Sequence, residues 1–291
     1  MQKERTALLS LLLMLLGLLI LCYPTIGSFI NGFTQSRAIV TYCGTVAALS
    51  PAEKAAALEA AEAYNAALRE DPGAFYAPER IPGYQACLNP EGNGIMGYVS
   101  ISRLRLKLPI YHGTGEAVLQ VGAGHLQGTS LPIGGPGNHT VISAHSGLPT
   151  ARLFTDLPKL KKGETFTLHV LDKKLSYKVV NIRKVKPKDT GSLHCVPGKD
   201  YCTLFTCTPY GINTHRLLVT GERLPDRAAG VKDKKAGLEW PPWLTGYLKL
   251  GAAFAALAAN IILIIKQVYL LHGQKRGGLQ HGKGGCGEKT E

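Results

Sequence analysis

No cluster of histidine, cysteine, aspartate and glutamate in this chain has the spacing of a structural zinc site, so neither a metal nor a cofactor is expected. Acidic residues are scarce: 20 Asp and Glu stand against 33 Lys and Arg, a formal net charge of +13. Such an excess can signal a nucleic-acid partner. Here the basic residues are dispersed, and no RNA- or DNA-type motif interleaves them with aromatics. The reading therefore disfavours nucleic acid.

Also missing is a small-x-small cleavage site after the first apolar run. Ala7 to Tyr23 is almost unbroken leucine, and Cys22-Tyr23-Pro24 follows its core. The run reads as an uncleaved signal anchor spanning residues 7–26, with a cleaved signal peptide as the alternative. A second apolar segment, Leu244 to Ile265, follows Trp240 and Trp243, which suit a membrane interface. Lys249 lies near its start, where a lysine snorkels outward instead of crossing the bilayer centre. Lys3 and Arg5 precede the first run, and Lys266, Lys275, Arg276, Lys283 and Lys289 follow the second. By the positive-inside rule both ends are cytoplasmic and the middle is external, in a two-pass protein of the cell membrane. A buried helix is the alternative for the second segment.

The most informative stretch is Thr203 to Arg223, TLFTCTPYGINTHRLLVTGER. A strand-like run ends on Cys207, a turn-rich link follows, and a second strand begins at His215-Arg216. Antiparallel pairing sets a thiol and a guanidinium side by side at the rim of a sheet. Cysteine is the most nucleophilic side chain, and arginine supplies fixed charge and donors for a developing oxyanion. Thr140-Val141-Ile142-Ser143-Ala144 is another strand-like run, stopping at His145-Ser146-Gly147 and so placing His145 at a rim too. His215 is its rival, but alternation turns His215 and Arg216 to opposite faces. His112, His125, His139, His169 and His194 read as surface or satisfied core histidines, and His272 and His281 lie in a polar tail.

Thr203-Leu204-Phe205-Thr206-Cys207, followed by Arg216 on the next strand, resembles the signature of the sortases, cysteine transpeptidases of Gram-positive cell surfaces. The run Cys207-Thr208-Pro209-Tyr210-Gly211-Ile212-Asn213-Thr214-His215-Arg216 is most similar to the pilin-polymerising branch, class C. The resemblance implies an all-β fold, an eight-stranded barrel with short helices. It implies Cys207 as nucleophile, His145 as general acid/base, Arg216 as oxyanion and substrate stabiliser, and Thr206 beside the substrate. The expected reaction cleaves an LPxTG-like sorting motif between Thr and Gly through a thioester. The acceptor is then a pilin lysine, building covalent pili, or a peptidoglycan cross-bridge amine, anchoring surface proteins. Hydrolysis by water and a non-catalytic scaffold on the same barrel are the other readings.

Between the first span and the barrel, Ser50-Pro51-Ala52-Glu53 is a capping box opening a helix that continues to Arg69. Asp71 to Asn93 is rich in Pro, Gly and polar residues and reads as a loop. In class C sortases such a loop is a lid with an Asp-Pro-aromatic element. Asp71-Pro72 matches it, but Gly73 stands at the aromatic position, and Phe75 and Tyr76 follow. The expectation is that Asp71 contacts Arg216 while Phe75 or Tyr76 covers Cys207, with a plain linker as the alternative. Strand-like runs at 98–101, 106–111, 140–144, 165–171, 175–182, 204–206 and 217–220 suit a barrel or sandwich. The expected organisation is cytoplasmic residues 1–6, a span at 7–26, and an external helix and lid at 27–96. A barrel at 97–225, a linker at 226–243, a span at 244–265 and a basic cytoplasmic tail at 266–291 complete it. Cys43, Cys87, Cys195 and Cys202 fall in the external part, and Cys195 and Cys202 flank a turn that could pair them.

Overall fold

The computed structural model describes residues 2–225 and part of 251–266. The chain divides into two units: residues 1–27 with 240–291, and Ser28–Glu239. Helix α1 is Gln2–Ala48, and its segment Leu12–Ala48 is long and apolar enough to cross a membrane. The second expected span lies mostly outside the described residues; those described between 251 and 266 are helical.

The C-terminal part of α1 packs on the barrel. Tyr42 and Val46 are buried, and Tyr42 Oη donates to the Met96 carbonyl (3.1 Å) and accepts from the Leu171 amide (2.8 Å). Helix α2, Pro51–Glu70, starts at the predicted capping box: the Ser50 hydroxyl accepts from the Glu53 amide while the Glu53 carboxylate reaches back to the Ser50 amide. Its buried face carries Ala61, Tyr64, Asn65 and Leu68, at helical spacing. Asn65 clamps this helix to the barrel, accepting from the Leu131 amide and donating to the Leu131 carbonyl.

Eight strands follow: β1 Ile95–Ile101, β2 Leu106–His112, β3 Ala123–His125, β4 Asn138–Ser143, β5 Thr165–Val170, β6 Lys173–Val185, β7 Asp200–Thr208 and β8 His215–Arg223. They close in the order β1-β2-β3-β4-β7-β8-β6-β5. This is the eight-stranded barrel expected from the resemblance. Six of the eight pairings are antiparallel; β2–β3 and β4–β7 are parallel. Parallel neighbours need crossover connections. The short helix α3, Glu116–Val121, supplies the one between β2 and β3.

Alternation along the strands creates two apolar layers. Val99, Ile101, Leu108, Ile110, Leu168, Leu204 and Val219 belong to the main core. Val141, Val185, Leu193 and Leu218 form a second, smaller cluster, against which Phe75, Leu126 and Phe205 pack. Of the two readings for Cys195 and Cys202, a disulfide across the turn or free thiols, the structure has the second. Cys202 belongs to the main core and is fully buried, whereas Cys195 is exposed.

Candidate active site

Strand β7 carries Cys207 one residue from its end, and its Cα partner on β8 is Arg216. Paired residues share a face of the sheet, and residues two apart on one strand share it again. The ladder pairs Thr203 with Thr220, Phe205 with Leu218 and Cys207 with Arg216. On the other side of β7 the parallel partner β4 aligns Val141 with Thr203 and Ser143 with Phe205. The ladder continues one step beyond the strand, where the Ala144 amide donates to the Phe205 carbonyl (3.2 Å). Carrying the register two residues past Ser143 brings His145 level with Cys207. Cys207 and Arg216 therefore sit side by side on the face that carries the second apolar cluster, and His145 follows two residues after β4, the strand on the far side of β7.

Each has local support. The Phe154 amide donates to the His145 carbonyl (3.0 Å), folding the following loop back under it. The Gly147 amide donates to Thr155 Oγ1 (3.1 Å), and Asp156 is paired with Arg152 and Lys159. Gly147 has φ of +84°, and a Cβ there would meet the Tyr210 ring at 3.3 Å. Gly147 thus lets the His145 loop lie close against the Tyr210 ring of the β7–β8 link. The same loop is tied to α1, where Asn31 Nδ2 donates to the Thr150 carbonyl (3.0 Å). Arg216 Nη1 donates to the carbonyls of Asn213 (2.9 Å) and His215 (3.1 Å), within its own hairpin. Cys207 is half-buried and free.

Thr206, expected beside the substrate, is 1% exposed, and its hydroxyl donates to the Ala144 carbonyl (2.7 Å). Its contact is thus with the residue before His145, binding β4 to β7 at the rim. His215 is exposed, with Nδ1 3.0 Å from Thr214 Oγ1, and its Cα partner is Thr208.

The remaining histidines are placed by their hydrogen bonds. His112 bridges the Gly94 and Cys87 carbonyls. His139 Nδ1 faces the His194 carbonyl (2.9 Å) and Nε2 faces Thr203 Oγ1 (2.8 Å). His125 is fully buried, with Nδ1 2.9 Å from Tyr84 Oη and Nε2 2.9 Å from the Ser130 carbonyl. Burial pushes its imidazole down to about 4. His169 lies 3.0 Å from Ser100 Oγ and stacks on Tyr98. His272 and His281 are outside the described residues. No group of three or more potential metal ligands occurs among the described residues.

The Asp71–Tyr76 segment lies on the same face as Cys207 and Arg216, held by contacts other than those expected. Pro72–Phe75 is a single 3₁₀ turn capped by Asp71, whose carboxylate accepts from the Gly73 amide (3.1 Å) and pairs with Arg80 (3.0 Å). Asp71 makes no ion pair with Arg216. The Phe75 ring packs on the Val141–Leu218 cluster and lies 4.3 Å from the His194 ring, centroid to centroid. Tyr76 Oη reaches His194 Nε2 (3.2 Å) and Thr190 Oγ1 (3.4 Å). Phe75 thus shares a cluster with Phe205, two residues along β7 from Cys207. A pocket of about 470 Å³ opens beside this turn, lined by Arg69, Phe75, Thr129, Ser130, His194 and Cys195 among others.

Two features of the site were missed in the sequence: Glu116, whose Oε2 lies 3.5 Å from His145 Nε2, and His194 as the partner of the aromatic pair. Glu116 starts α3, a six-residue helix too short to leave a periodic signal.

The family model described as the Sortase domain matches residues 99–224. Sortase A of Streptococcus agalactiae serotype III is 33% identical over 131 residues, which are 44% of this chain and 52% of that protein. The chain thus matches about half the length of this curated relative. The crystal structure of sortase C1 from Streptococcus agalactiae is 45% identical, with a TM-score of 0.60 over 65% of this chain and 99% of that one. Streptococcus pneumoniae sortase C, a structure described in connection with pilin substrate specificity, is 43% identical, with a TM-score of 0.58 over 65% of this chain and 97% of that one. With the barrel and the Cys207–Arg216 pairing already in place, these likenesses make the chain a member of the sortase family.

Proposed function

We propose that the protein is a membrane-anchored cysteine transpeptidase of the class C kind, joining pilins covalently. The observation that carries this reading is the pairing of Cys207 with Arg216 across β7 and β8, with His145 two residues past the end of the neighbouring β4. In the proposed reaction Cys207 Sγ, as thiolate, attacks the Thr carbonyl carbon of an LPxTG-like motif. Arg216 turns its fork of donors to the oxyanion. When the tetrahedral adduct collapses, the Thr–Gly bond breaks, the glycine amine takes a proton from imidazolium His145, and a thioester remains. A pilin lysine amine then gives its proton to His145 and attacks the thioester, so that an isopeptide bond forms and the thiolate is released.

The class C reading draws on two observations: the likeness to the sortase C structures, and an aromatic segment packed on the face that carries Phe205 and Cys207. Asp71, Pro72, Phe75 and Tyr76 then act as a lid, latched on His194 instead of Arg216. The proposed topology has the span at 7–26, residues 27–225 outside, a second span at 244–265 and both ends in the cytoplasm. Its support is the flanking charge and the apolar helix α1.

Mass spectrometry of the protein mixed with a sorting-motif peptide tests the reaction. An adduct on Cys207 equal to the peptide through Thr is expected. Adding a lysine-bearing pilin fragment should discharge it into an isopeptide-linked product faster than oligoglycine does. Faster discharge by oligoglycine would move the protein to wall anchoring, and absence of any Cys207 adduct would end the transpeptidase reading.

A further inference from the structure

We propose that Glu116 is a positioning residue for His145, holding Nε2 so that Nδ1 is the nitrogen exchanging protons with the substrate amines. This rests on His145 acting as the acid/base above. Helix α3 rests on β3, where Gly124 leaves room for Val118, and Glu116 opens the helix with a side chain 71% exposed. One turn along, Gln120 Nε2 donates to Glu116 Oε1 (2.5 Å), which fixes the carboxylate plane. The other oxygen, Oε2, lies 3.5 Å from His145 Nε2. That nitrogen is shielded from solvent and has no hydrogen bond, although the His145 side chain as a whole is 27% exposed. A buried ring N–H without a partner is costly, and a small ring rotation closes the gap to the carboxylate. The Gln120 bond, and secondarily His145 itself, hold the Glu116 carboxyl below the usual range, so it stays anionic.

Other charged groups of the His145 loop and the β7–β8 link have partners of their own. Arg152 and Lys159 are paired with Asp156, and the Arg216 guanidinium is bonded to hairpin carbonyls. In the reaction, imidazolium His145 gives its Nδ1 proton to the departing glycine amine and keeps its Nε2 proton, directed at the Glu116 carboxylate. The incoming amine then returns a proton to Nδ1. Glu116 neither gains nor loses a proton, and its effect is on ring orientation.

The test is single-turnover thioester formation and steady-state transfer in the full chain, with folding followed by thermal unfolding. Glu116→Ala is expected to lower kcat about threefold to fivefold with KM changed less than about twofold, the range of a solvent-screened ion pair. Glu116→Gln, which keeps an acceptor of the same shape, should recover at least half of that loss. In a His145→Ala background, Glu116→Ala should change nothing further. A downfield imidazole N–H proton resonance should be present in the wild type and absent from Glu116→Ala. An unchanged kcat, a change in KM alone, or an equal loss in the His145→Ala background overturns the proposal while leaving the transpeptidase reading intact. If His145→Ala itself keeps full activity, the acid/base reading falls and this proposal with it.

Discussion

Cys207 and Arg216 are Cα partners across the β7–β8 ladder, one residue in from the rim of the barrel. Their nearness is set by backbone hydrogen bonds, so it does not depend on a flexible loop. His145 enters from the other side of β7, through the parallel β4 register and the Thr206–Ala144 hydrogen bond. The Arg216 guanidinium is bonded within its own hairpin, so the proposed oxyanion role requires that these bonds give way.

Arg216→Ala should lower kcat by about 100-fold or more, the usual effect of deleting a preorganised oxyanion donor. Arg216→Lys should recover little, because an ammonium lacks the planar fork. Steady-state kinetics with a sorting peptide check this. A kcat within about twofold of wild type for either variant would remove Arg216 from the chemistry.

The Phe75 contact with His194 and the Val141–Leu218 cluster gives the lid reading a measurable consequence. Phe75→Ala, or deletion of residues 71–76, should speed both alkylation of Cys207 and turnover of a short sorting peptide several-fold. Alkylation no faster than wild type means that the segment is a linker and not a lid.

Much of the site was readable because strand-end motifs carry their own geometry. A run that ends on Cys207, a turn, and a run that begins at His215-Arg216 put the thiol and the guanidinium at one end of an antiparallel pair, and the ladder pairs them. The capping box of α2 was equally local. What escaped notice depends on distant parts of the chain. Strand β3 is Ala123-Gly124-His125, three residues without strand propensity, recruited because β2 and β4 leave a gap between them. Tyr76 meets His194 across 118 residues, and no local pattern encodes such a contact. Helix α1 continues past the expected span to Ala48 because Tyr42 and Val46 find a buried seat on the barrel. Thr206 looked like a substrate contact by its place in the motif, yet strand alternation turns it inward.

Buried histidines make stability depend on pH. His125 is held at about 4 in the folded protein, mainly by burial, against about 6.5 for the group in an unfolded chain. Burial lowers His139 in the same direction. Unfolding below about 6.5 therefore takes up protons, so the stabilisation is full above that value and is lost as pH falls towards 4. The His125 contribution alone amounts to about 3 kcal/mol at the acid end. Urea unfolding at pH 7 and pH 4.5 should give a clearly lower midpoint in acid. Equal midpoints would contradict a neutral, buried His125.

The most direct measurement of the whole account is turnover of a fluorogenic sorting peptide, with and without an amine acceptor, by wild type and Cys207→Ala. The account predicts cleavage by wild type, a faster rate and an amine-linked product when the acceptor is present, and neither in Cys207→Ala. Equal signals from the two proteins, or no cleavage by wild type even after residues 71–76 are removed, would contradict it.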